Sequence, residues 1–258
     1  MFKINDVMYA VNGSMINSIF VLEQPVTCVP MTESHVRGII NVRGDIVPIV
    51  DMRVLFELPT AEQNYQEFKK MIEDRKQDHL NWVEALRNYI ENDVPFKLAT
   101  DPHECAFGKW YDTFETNDPS VIHYLRQVEE PHNKLHACAE EAINCKRNCD
   151  ECKREECLKV ILKSAFEIYV PNLLKLIDHV REAYSASSKQ MVIVLQEGAV
   201  QMGILVDEVV EVTDINEIFS LKEMPNTHRS PFVYGVGTVE HIEKEILMLD
   251  VSAVVKCS

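Results

Sequence analysis

The stretch VRGIINVRGDIVPIVDMRVLF, residues 36–56, contains two short apolar runs separated by one turn signal. Ile39 and Ile40 on one side and residues 46–50 on the other predict two β-strands, because β-branched residues favour strands. Arg43 and Gly44 lie between them, and glycine permits the backbone conformation that a tight turn needs. We therefore predict a β-hairpin at this position.

Working outward from the hairpin, glycine content divides the chain into three parts. Residues 1–60 and 189–258 contain seven of the eight glycines, whereas residues 61–188 contain only Gly108. The outer parts read as strands and turns, and the middle part reads as helices. We predict an α+β protein of two domains. A β domain of residues 1–60 and 189–258 is interrupted by a helical domain of residues 61–188, an insertion of the kind that surface loops tolerate.

Composition excludes several classes of protein. The formal net charge of −15 argues against nucleic-acid binding, which requires clustered Lys and Arg. No apolar run approaches the roughly 20 residues of a membrane-spanning helix. The first residues show no charged-then-apolar leader, so we expect a cytoplasmic protein. Eight cysteines in such a chain favour metal-binding, redox-active or buried thiols over a disulfide framework.

Three histidines and one cysteine in the middle part are candidate zinc ligands. HLNW begins at His79, CAFGKW begins at Cys105, and HNKLH contains His132 and His136. Three imidazoles and one thiolate are enough donors to complete the tetrahedral shell in which proteins hold zinc. His132 and His136 are four residues apart, so on a helix they face the same side one turn apart.

His79 belongs to a seam of residues spaced by three and four: Tyr65, Phe68, Ile72, Arg75, His79, Trp82, Leu86 and Tyr89. This spacing predicts a helix with one face turned into a bundle. Each histidine taken alone is equally compatible with an ordinary core or surface side chain. Only the four candidate ligands together favour a metal site.

Cys105 follows a helix-start signal. Asp101 is a good N-cap and Pro102 suits a first turn, so a helix is predicted to begin here with Cys105 near its positive end. That position favours the thiolate, the form that binds metals and reacts with oxidants. The alternative is a small buried side chain.

These fragments resemble the chemoreceptor zinc-binding (CZB) domain. The resemblance rests on His-x-x-Trp, Cys-x-Phe-Gly-x-Trp and His-x-x-x-His, and it covers about residues 65–142. It implies an α-helical, four-helix-type bundle that holds Zn²⁺ through His79, Cys105, His132 and His136. Relatives of the insert form dimers, so it also implies that a homodimer could form through the helical insert.

The outer parts resemble the CheW-like domain of bacterial chemotaxis coupling proteins. Besides the hairpin, MGILVDEV at residues 202–209 resembles a later strand of that family. VYGVG at residues 233–237 and ILMLDV at residues 246–251 resemble its closing hairpin and the start of its last helix. The resemblance implies two five-stranded β barrels packed side by side, with the helical bundle inserted where the family has a short linker.

The same resemblance implies two protein partners, the cytoplasmic tip of a chemoreceptor (a methyl-accepting chemotaxis protein) and a CheA-type histidine kinase. In coupling proteins the arginine of the Asn-x-Arg-Gly turn contributes to receptor contact. Here that residue is Arg43, with Val36, Ile39 and Val42 as its apolar neighbourhood. The alternative for these three apolar residues is a place in the strand core, whereas a turn arginine serves no core.

A cysteine stripe follows His136 and belongs to neither resemblance. It comprises Cys138, Cys145, Cys149, Cys152 and Cys157 in an otherwise polar run. On one unbroken helix its first four members lie roughly 120–160° from His132 and His136, so they should not contribute to the zinc site. Three interpretations stay open: packing by small side chains, a reversible thiol switch, or a second thiolate metal site of Cys145, Cys149 and Cys152.

After the stripe, residues 158–184 predict a further helical block that is interrupted at Pro171. Residues 184–188, rich in serine, are predicted to be the linker back to the β domain.

The residues and the two resemblances together predict a non-enzymatic chemotaxis adaptor with an inserted sensor, which responds to zinc or to oxidation of the zinc-bound cysteine. One alternative is zinc as a purely structural staple in a constitutive adaptor. Another is a zinc-dependent hydrolase, which needs an open coordination position and a general base. The four donors would close the zinc shell, and the chain contains no His-Glu-x-x-His motif.

Overall fold

The computed structural model describes residues 1–221, 230–240 and 242–256, without the side chains of Cys152, Ile242 and Glu243. The chain divides into two compact units. One unit combines Met1–Asn64 with Ser188–Ser258, and the other comprises Tyr65–Ser187. We call them the β unit and the helical unit. The helical unit is thus inserted into the chain of the β unit.

The strands belong to the β unit. They are β1 Phe2–Ile4, β2 Val7–Ala10, β3 Ile16–Val21, β4 Val36–Val42, β5 Asp45–Asp51, β6 Met191–Glu197, β7 Val200–Val206, β8 Glu208–Val209, β9 Glu217–Ser220, β10 Val233–Val239 and β11 Ile242–Leu249. A six-stranded sheet has the order β8-β1-β2-β11-β10-β9, and a five-stranded sheet has the order β3-β6-β7-β5-β4. The expected α+β fold is confirmed. One sheet has a sixth strand, the two-residue β8.

The two sheets share an apolar core. Phe2 and Leu249 from the six-stranded sheet pack in one cluster with Val50 and Ile193 from the five-stranded sheet. These side chains are at most 2% exposed, and full burial of such a side chain stabilises the fold by about 1.5–3 kcal/mol. The core therefore ties together segments that precede and follow the insert.

The predicted hairpin is confirmed as β4 and β5, which pair from Val42 opposite Asp45 back to Val36 opposite Val50. Arg43 and Gly44 form its turn with φ values of 55° and 104°. Two consecutive positive φ angles are typical of the tight turns that fit the twist of a hairpin. The side-chain oxygen of Asn41 accepts a 2.9 Å hydrogen bond from the Gly44 amide and closes the turn.

The chain leaves the β unit before the insert and returns after it at the same end of the five-stranded sheet. β5 runs parallel to β7 and β6 runs antiparallel to it. Asp51, the last residue of β5, and Val192, near the start of β6, both pair with Leu205 on opposite sides of β7. One strand therefore separates the exit of the chain from its return.

The helices are α1 Met52–Leu55, α2 Ala61–Asn92, α3 Ala106–Tyr111, α4 Pro119–Asn148, α5 Glu151–Ser164, α6 Val170–Ser187 and α7 Val251–Lys256. A π-helical turn, Ala165–Tyr169, joins α5 to α6. The long helices of the bundle are α2, α4 and the α5–α6 run, and α3 is a short one. Ion pairs of Lys76 with Asp178 (3.0 Å) and of Arg181 with Glu73 (3.1 Å) link α2 to α6.

Two boundary predictions were wrong. The helix is not interrupted at Pro171, which lies in the first turn of α6; the irregularity is the π turn just before it. Proline has no N–H to donate to the preceding turn, and a widened turn accommodates that loss. Residues 184–187 are also not a linker, because α6 continues to Ser187, whose hydroxyl donates to the Tyr184 carbonyl at 3.1 Å.

Across the described parts of the chain, none of the helices combines the length and the hydrophobicity that a membrane crossing requires.

Candidate metal centre

Two groups of metal-ligating side chains converge in the helical unit among the described residues. The first is His79, Cys105, His132 and His136, the four residues predicted from the sequence. The second is Cys145, Cys149 and Cys157. Within each group, one donor atom per residue lies within 4.8 Å of those of the others.

His79 lies on the buried face of α2. It is 3% exposed, and Phe68, Ile72, Trp82 and Leu86 of the predicted seam are buried with it. Its Nδ1 is 2.8 Å from the carbonyl of Arg75, one helical turn earlier. This contact places the ring proton on Nδ1 and leaves the Nε2 lone pair free. Within the described residues, Nε2 is buried without a hydrogen-bond partner.

His132 and His136 lie one turn apart on α4, with ring centroids 4.7 Å apart. The Nδ1 of His136 is 3.2 Å from the carbonyl of Ala99, and its Nε2 is buried without a partner in the described structure. The indole N–H of Trp82 donates to the same carbonyl at 2.8 Å. The loop before α3 thus orients one candidate ligand through its backbone, as groups around metal ligands commonly do.

Two consecutive N-caps position Cys105. Asp101 caps a single 3-10 turn, Pro102–Glu104, rather than the α-helix that we predicted to start there. Cys105 is itself the N-cap of α3, and its Sγ accepts a 3.2 Å hydrogen bond from the Gly108 amide. The same Sγ lies 3.3 Å from Nε2 of His132. The two caps turn the thiol toward the histidines.

In the metal-free protein, burial opposes the thiolate form of Cys105 that we predicted from its position. Burial raises the pKa of this thiol, and the backbone amides of Gly108 and Phe107 offset that effect only in part. The cost of burying an anion exceeds the stabilisation from two amide dipoles in this site. A positive ion beside the sulfur is therefore needed to obtain the thiolate.

All three histidines are neutral at physiological pH. Burial, followed by the neighbouring imidazoles, lowers the pKa of His132 to about 2. Burial and His79 lower the pKa of His136 to about 4, and burial lowers the pKa of His79. Neutral imidazole is the form that binds metals.

The donor set fits zinc. Two Nε2 atoms are buried with unused lone pairs, and unpaired polar atoms at such depth are rare in folded proteins. A third Nε2 contacts a thiol. Ligands of one zinc ion lie about 2.0–2.3 Å from the metal and hence roughly 3–4 Å from one another. The separations within 4.8 Å require only a small contraction.

Aromatic rings and a small cleft surround the four donors. The ring of Phe107 lies edge-on to His132 and His79, at centroid distances of 5.1 and 5.7 Å. A cleft of about 310 Å³ reaches the site past Asp78, Cys105 and Leu98. Cys105 is only partly buried, so small solutes have a path to its sulfur.

The cysteine stripe does not lie on one helix, so that prediction was wrong. α4 ends at Asn148, Cys149 has an extended backbone as its C-cap, and α5 begins at Glu151. The direction change brings Cys157 beside Cys145 and Cys149. Cys157, which was not among the predicted ligands, joins the group. The predicted Cys152 has a side chain outside the described residues. Cys138 is buried, and its thiol donates to the Lys134 carbonyl at 3.3 Å.

The predicted partner-binding residues lie on the edge strand β4 and its turn. Arg43 is exposed, while Val36, Ile39 and Val42 are half-buried. Ile39 also pairs with Thr27 through two backbone hydrogen bonds of 2.8 and 2.9 Å. Sequence reasoning missed Ile46, which is 60% exposed and lies two residues after Gly44. Its place in an apolar run suggested that it is buried. Side chains alternate between the two faces of a strand, and this alternation could have predicted its exposure.

Two domain families match the chain. The CheW-like domain family matches residues 1–78 and 168–257, and the chemoreceptor zinc-binding domain matches residues 79–143. A chemotaxis protein CheW of Bacillus subtilis (strain 168) is 36% identical over 61 residues, which span 24% of this chain and 38% of that protein.

A solved structure described as the scaffolding protein TtCheW from Thermoanaerobacter tengcongensis aligns over 97% of this chain and 86% of its own. Its sequence identity is 13% and its TM-score is 0.42. The match to the CheW-like family covers more than half of the chain. The protein therefore belongs to the CheW-like domain family and carries a chemoreceptor zinc-binding domain within it.

Proposed function

We propose that this protein is a chemotaxis adaptor whose inserted helical unit senses zinc, or the oxidation state of a zinc-bound cysteine, and modulates the scaffold. The main observation in support is the cluster of four side chains, His79, Cys105, His132 and His136. In this cluster, the Nε2 atoms of His79 and His136 are buried without hydrogen-bond partners among the described residues. These four residues are the proposed zinc ligands. A bound zinc ion would hold Cys105 as a thiolate, and His79 and His136 would keep their Nδ1 contacts with the carbonyls of Arg75 and Ala99.

The β unit is proposed to bind a chemoreceptor tip and a CheA-type histidine kinase, as adaptors of this family do. Arg43 is the first candidate for receptor contact, because it is exposed in the turn of a paired hairpin. Val36, Ile39 and Val42 offer partly exposed apolar surface on the same strand. Ile46, beside the turn, extends that surface.

Substitution of Arg43 tests this contact without breaking the turn. Arg43 has a φ of 55°, and asparagine tolerates such angles better than most residues. We expect Arg43→Asn to weaken binding to a receptor cytoplasmic fragment about ten-fold, as expected for a central interface arginine. Lys244→Asn, at an exposed position on β11, is the matched control and should bind normally. Equal affinities for the two variants would remove Arg43 from the interface.

The proposed coupling runs through the ends of the insert. Since the chain leaves and re-enters the sheet on either side of β7, a rearrangement in the helical unit would act on two strand ends that only β7 separates. Binding of receptor and kinase should therefore differ between zinc-loaded and chelated protein. Equal affinities in the two states would contradict the sensor role, and the adaptor role would stand.

The structural-staple alternative makes a different prediction. It requires the helical unit to unfold when zinc is removed, with no change in partner binding while zinc is partly bound. The unit has an apolar core that extends well beyond the ligands, including Ile72, Leu86, Leu135 and Leu173, each fully buried. This core favours helices that persist without metal, which circular dichroism of the chelated protein would measure.

A catalytic zinc is disfavoured, because four protein donors leave no open position.

We also propose that the helical unit forms the contact of a homodimer. Val160 and Ile168 are 59% and 57% exposed on the α5–α6 run. Light scattering of the wild type and of a Val160→Lys, Ile168→Lys variant tests this. A wild type that is monomeric at high concentration would contradict it.

A further inference from the structure

The second thiol group is built at the corner between α4 and α5. Cys145 lies in the last turn of α4, Cys149 caps that helix, and Cys157 lies two turns into α5. Their sulfur atoms lie within 4.8 Å of one another, although eleven residues separate the first from the last. All three cysteines are free thiols. We call these residues the corner cysteines.

Arg154 holds the corner together from both sides. Its guanidinium donates a 2.9 Å hydrogen bond to the carbonyl of Cys149, one of the orphan carbonyls at the end of α4. Its own carbonyl accepts a long contact of 3.6 Å from the Cys145 thiol. These two contacts connect the end of α4 to the first turn of α5.

Packing alone accounts poorly for the corner cysteines. Cys145 is 4% exposed, but Cys149 and Cys157 are only partly buried and line a solvent-open cleft of about 740 Å³. A cysteine used as a small apolar side chain gains most when it is fully buried. Lys153 and two carboxylates, Glu141 and Glu156, line the same cleft, so ions have both access and counter-charges there.

We propose that Cys145, Cys149 and Cys157 form a second metal site, which binds one thiophilic divalent cation of the zinc class and is separate from the histidine-containing site. Each of the three S–H groups releases its proton to solvent, and three sulfur–metal bonds form without oxidation or reduction. The resulting complex carries a charge of −1, which Lys153 partly offsets. A solvent molecule in the cleft completes the tetrahedral shell.

The spacing of the sulfurs favours a single ion. Metal–sulfur distances of about 2.3 Å place tetrahedral thiolates roughly 3.8 Å apart, a small contraction from the separations within 4.8 Å. A cluster of several irons would hold its cysteine sulfurs farther apart than one ion does. Soft thiolate ligands select zinc, cadmium or cobalt over magnesium and calcium.

Metal content of anaerobically purified full-length protein is the first test. We expect about two zinc ions per chain in the wild type and about one in the Cys145→Ser, Cys149→Ser, Cys157→Ser variant. Cys28→Ser, an exposed cysteine of the β unit, is the matched control and should retain both. Because Cys145 is buried, Cys157→Ser alone is measured as well and should also lose about one ion.

Cobalt titration of metal-free wild-type protein gives a second readout that requires no variant. Sulfur-to-cobalt absorption scales with the number of thiolates, so saturation at two cobalt ions should carry about four thiolates, one in the histidine-containing site and three in the corner. A Cys105→Ala variant should keep about three. This test is independent of the adaptor and sensor roles proposed above.

Three results of the metal analysis and one of the cobalt titration would each overturn the second site. The three results of the metal analysis are about one metal ion per wild-type chain, retention of the second ion in the corner variants, or a disulfide between corner cysteines in protein kept anaerobic. The last would instead indicate a thiol switch. Cobalt absorption equivalent to a single thiolate would leave the corner cysteines as packing residues.

Discussion

At the scale of single residues, the protonation state of Cys105 decides how the proposed zinc site forms. Burial raises the pKa of this thiol, so it is protonated at neutral pH without metal. Burial lowers the pKa values of all three histidines, so they carry no extra proton. Zinc uptake therefore displaces a proton from sulfur alone.

We predict that zinc uptake at neutral pH releases about one proton per ion at this site. The measurement is calorimetry in buffers of different ionisation enthalpy, with the three corner cysteines replaced by serine so that one site is observed. Cys105→Ala in the same background should release close to none. A release near zero with Cys105 present would mean that the sulfur is not a ligand or is already ionised.

Gly108 is the second residue on which the site depends. A Cβ atom added there would lie 2.0 Å from the carbonyl oxygen of Pro102 and 2.9 Å from Cα of His103, both backbone atoms that cannot move independently. The Gly108 amide also holds the Cys105 sulfur. Close packing of α3 on the preceding 3-10 turn thus explains the glycine of the CAFGKW motif.

Gly108→Ala should destabilise the helical unit by about 1–3 kcal/mol, because the added methyl group overpacks the contact. It should also weaken zinc binding about ten-fold, because the backbone that carries Cys105 must shift. Chemical denaturation and a zinc competition assay measure the two effects. Ala106→Gly, at the first position of the same helix, is a control that adds no atoms. Wild-type zinc affinity in Gly108→Ala would contradict this account.

At the scale of elements, one ion pair fixes the segment through which the chain leaves the β unit. Arg53 of α1 donates to both carboxylate oxygens of Asp207 at 2.7 and 2.8 Å, and to the carbonyl of Pro59 at 3.1 Å. Arg53 is 8% exposed. It joins the residues before the insert to the connection between β7 and β8.

Loss of the Asp207 charge should therefore cost about 3 kcal/mol, since the buried Arg53 would lose its bidentate carboxylate partner. The neighbouring Glu208 pairs with Lys3 at 2.6 Å but is half exposed, so Glu208→Gln should cost less than about 1 kcal/mol. Urea denaturation of Asp207→Asn and Glu208→Gln compares the two. Similar losses of unfolding free energy in both variants would show that the buried ion pair of Arg53 stabilises the protein no more than an exposed one.

At the scale of the whole molecule, the β unit holds its own core and sheet connections. β5 and β6 are both neighbours of β7, so a short connection can replace the insert without a long loop to close. The shared core draws on residues before and after the insert. These features predict a β unit that folds without residues 65–187.

Replacement of residues 65–187 by a short Gly-Ser linker should give a protein with one cooperative unfolding transition. It should bind the proposed partners but show no response to zinc or chelator, because the ligands are gone. Circular dichroism, thermal denaturation and binding assays test the three parts. An unfolded product would mean that the helical unit is required for folding of the β unit.

The sequence by itself determined the hairpin at Arg43-Gly44 and the α+β division of the chain. It also determined the four residues of the histidine-containing site. These features depend on local preferences and on short, regular spacings. Only the tertiary structure decided which atoms are available for metal. It set the Nδ1 contacts with the carbonyls of Arg75 and Ala99, the burial that disfavours the Cys105 thiolate, and the corner that brings Cys157 beside Cys145 and Cys149. A helical pattern carries no information about where a helix turns back on itself. Burial and contacts between distant residues arise only when the whole chain has packed.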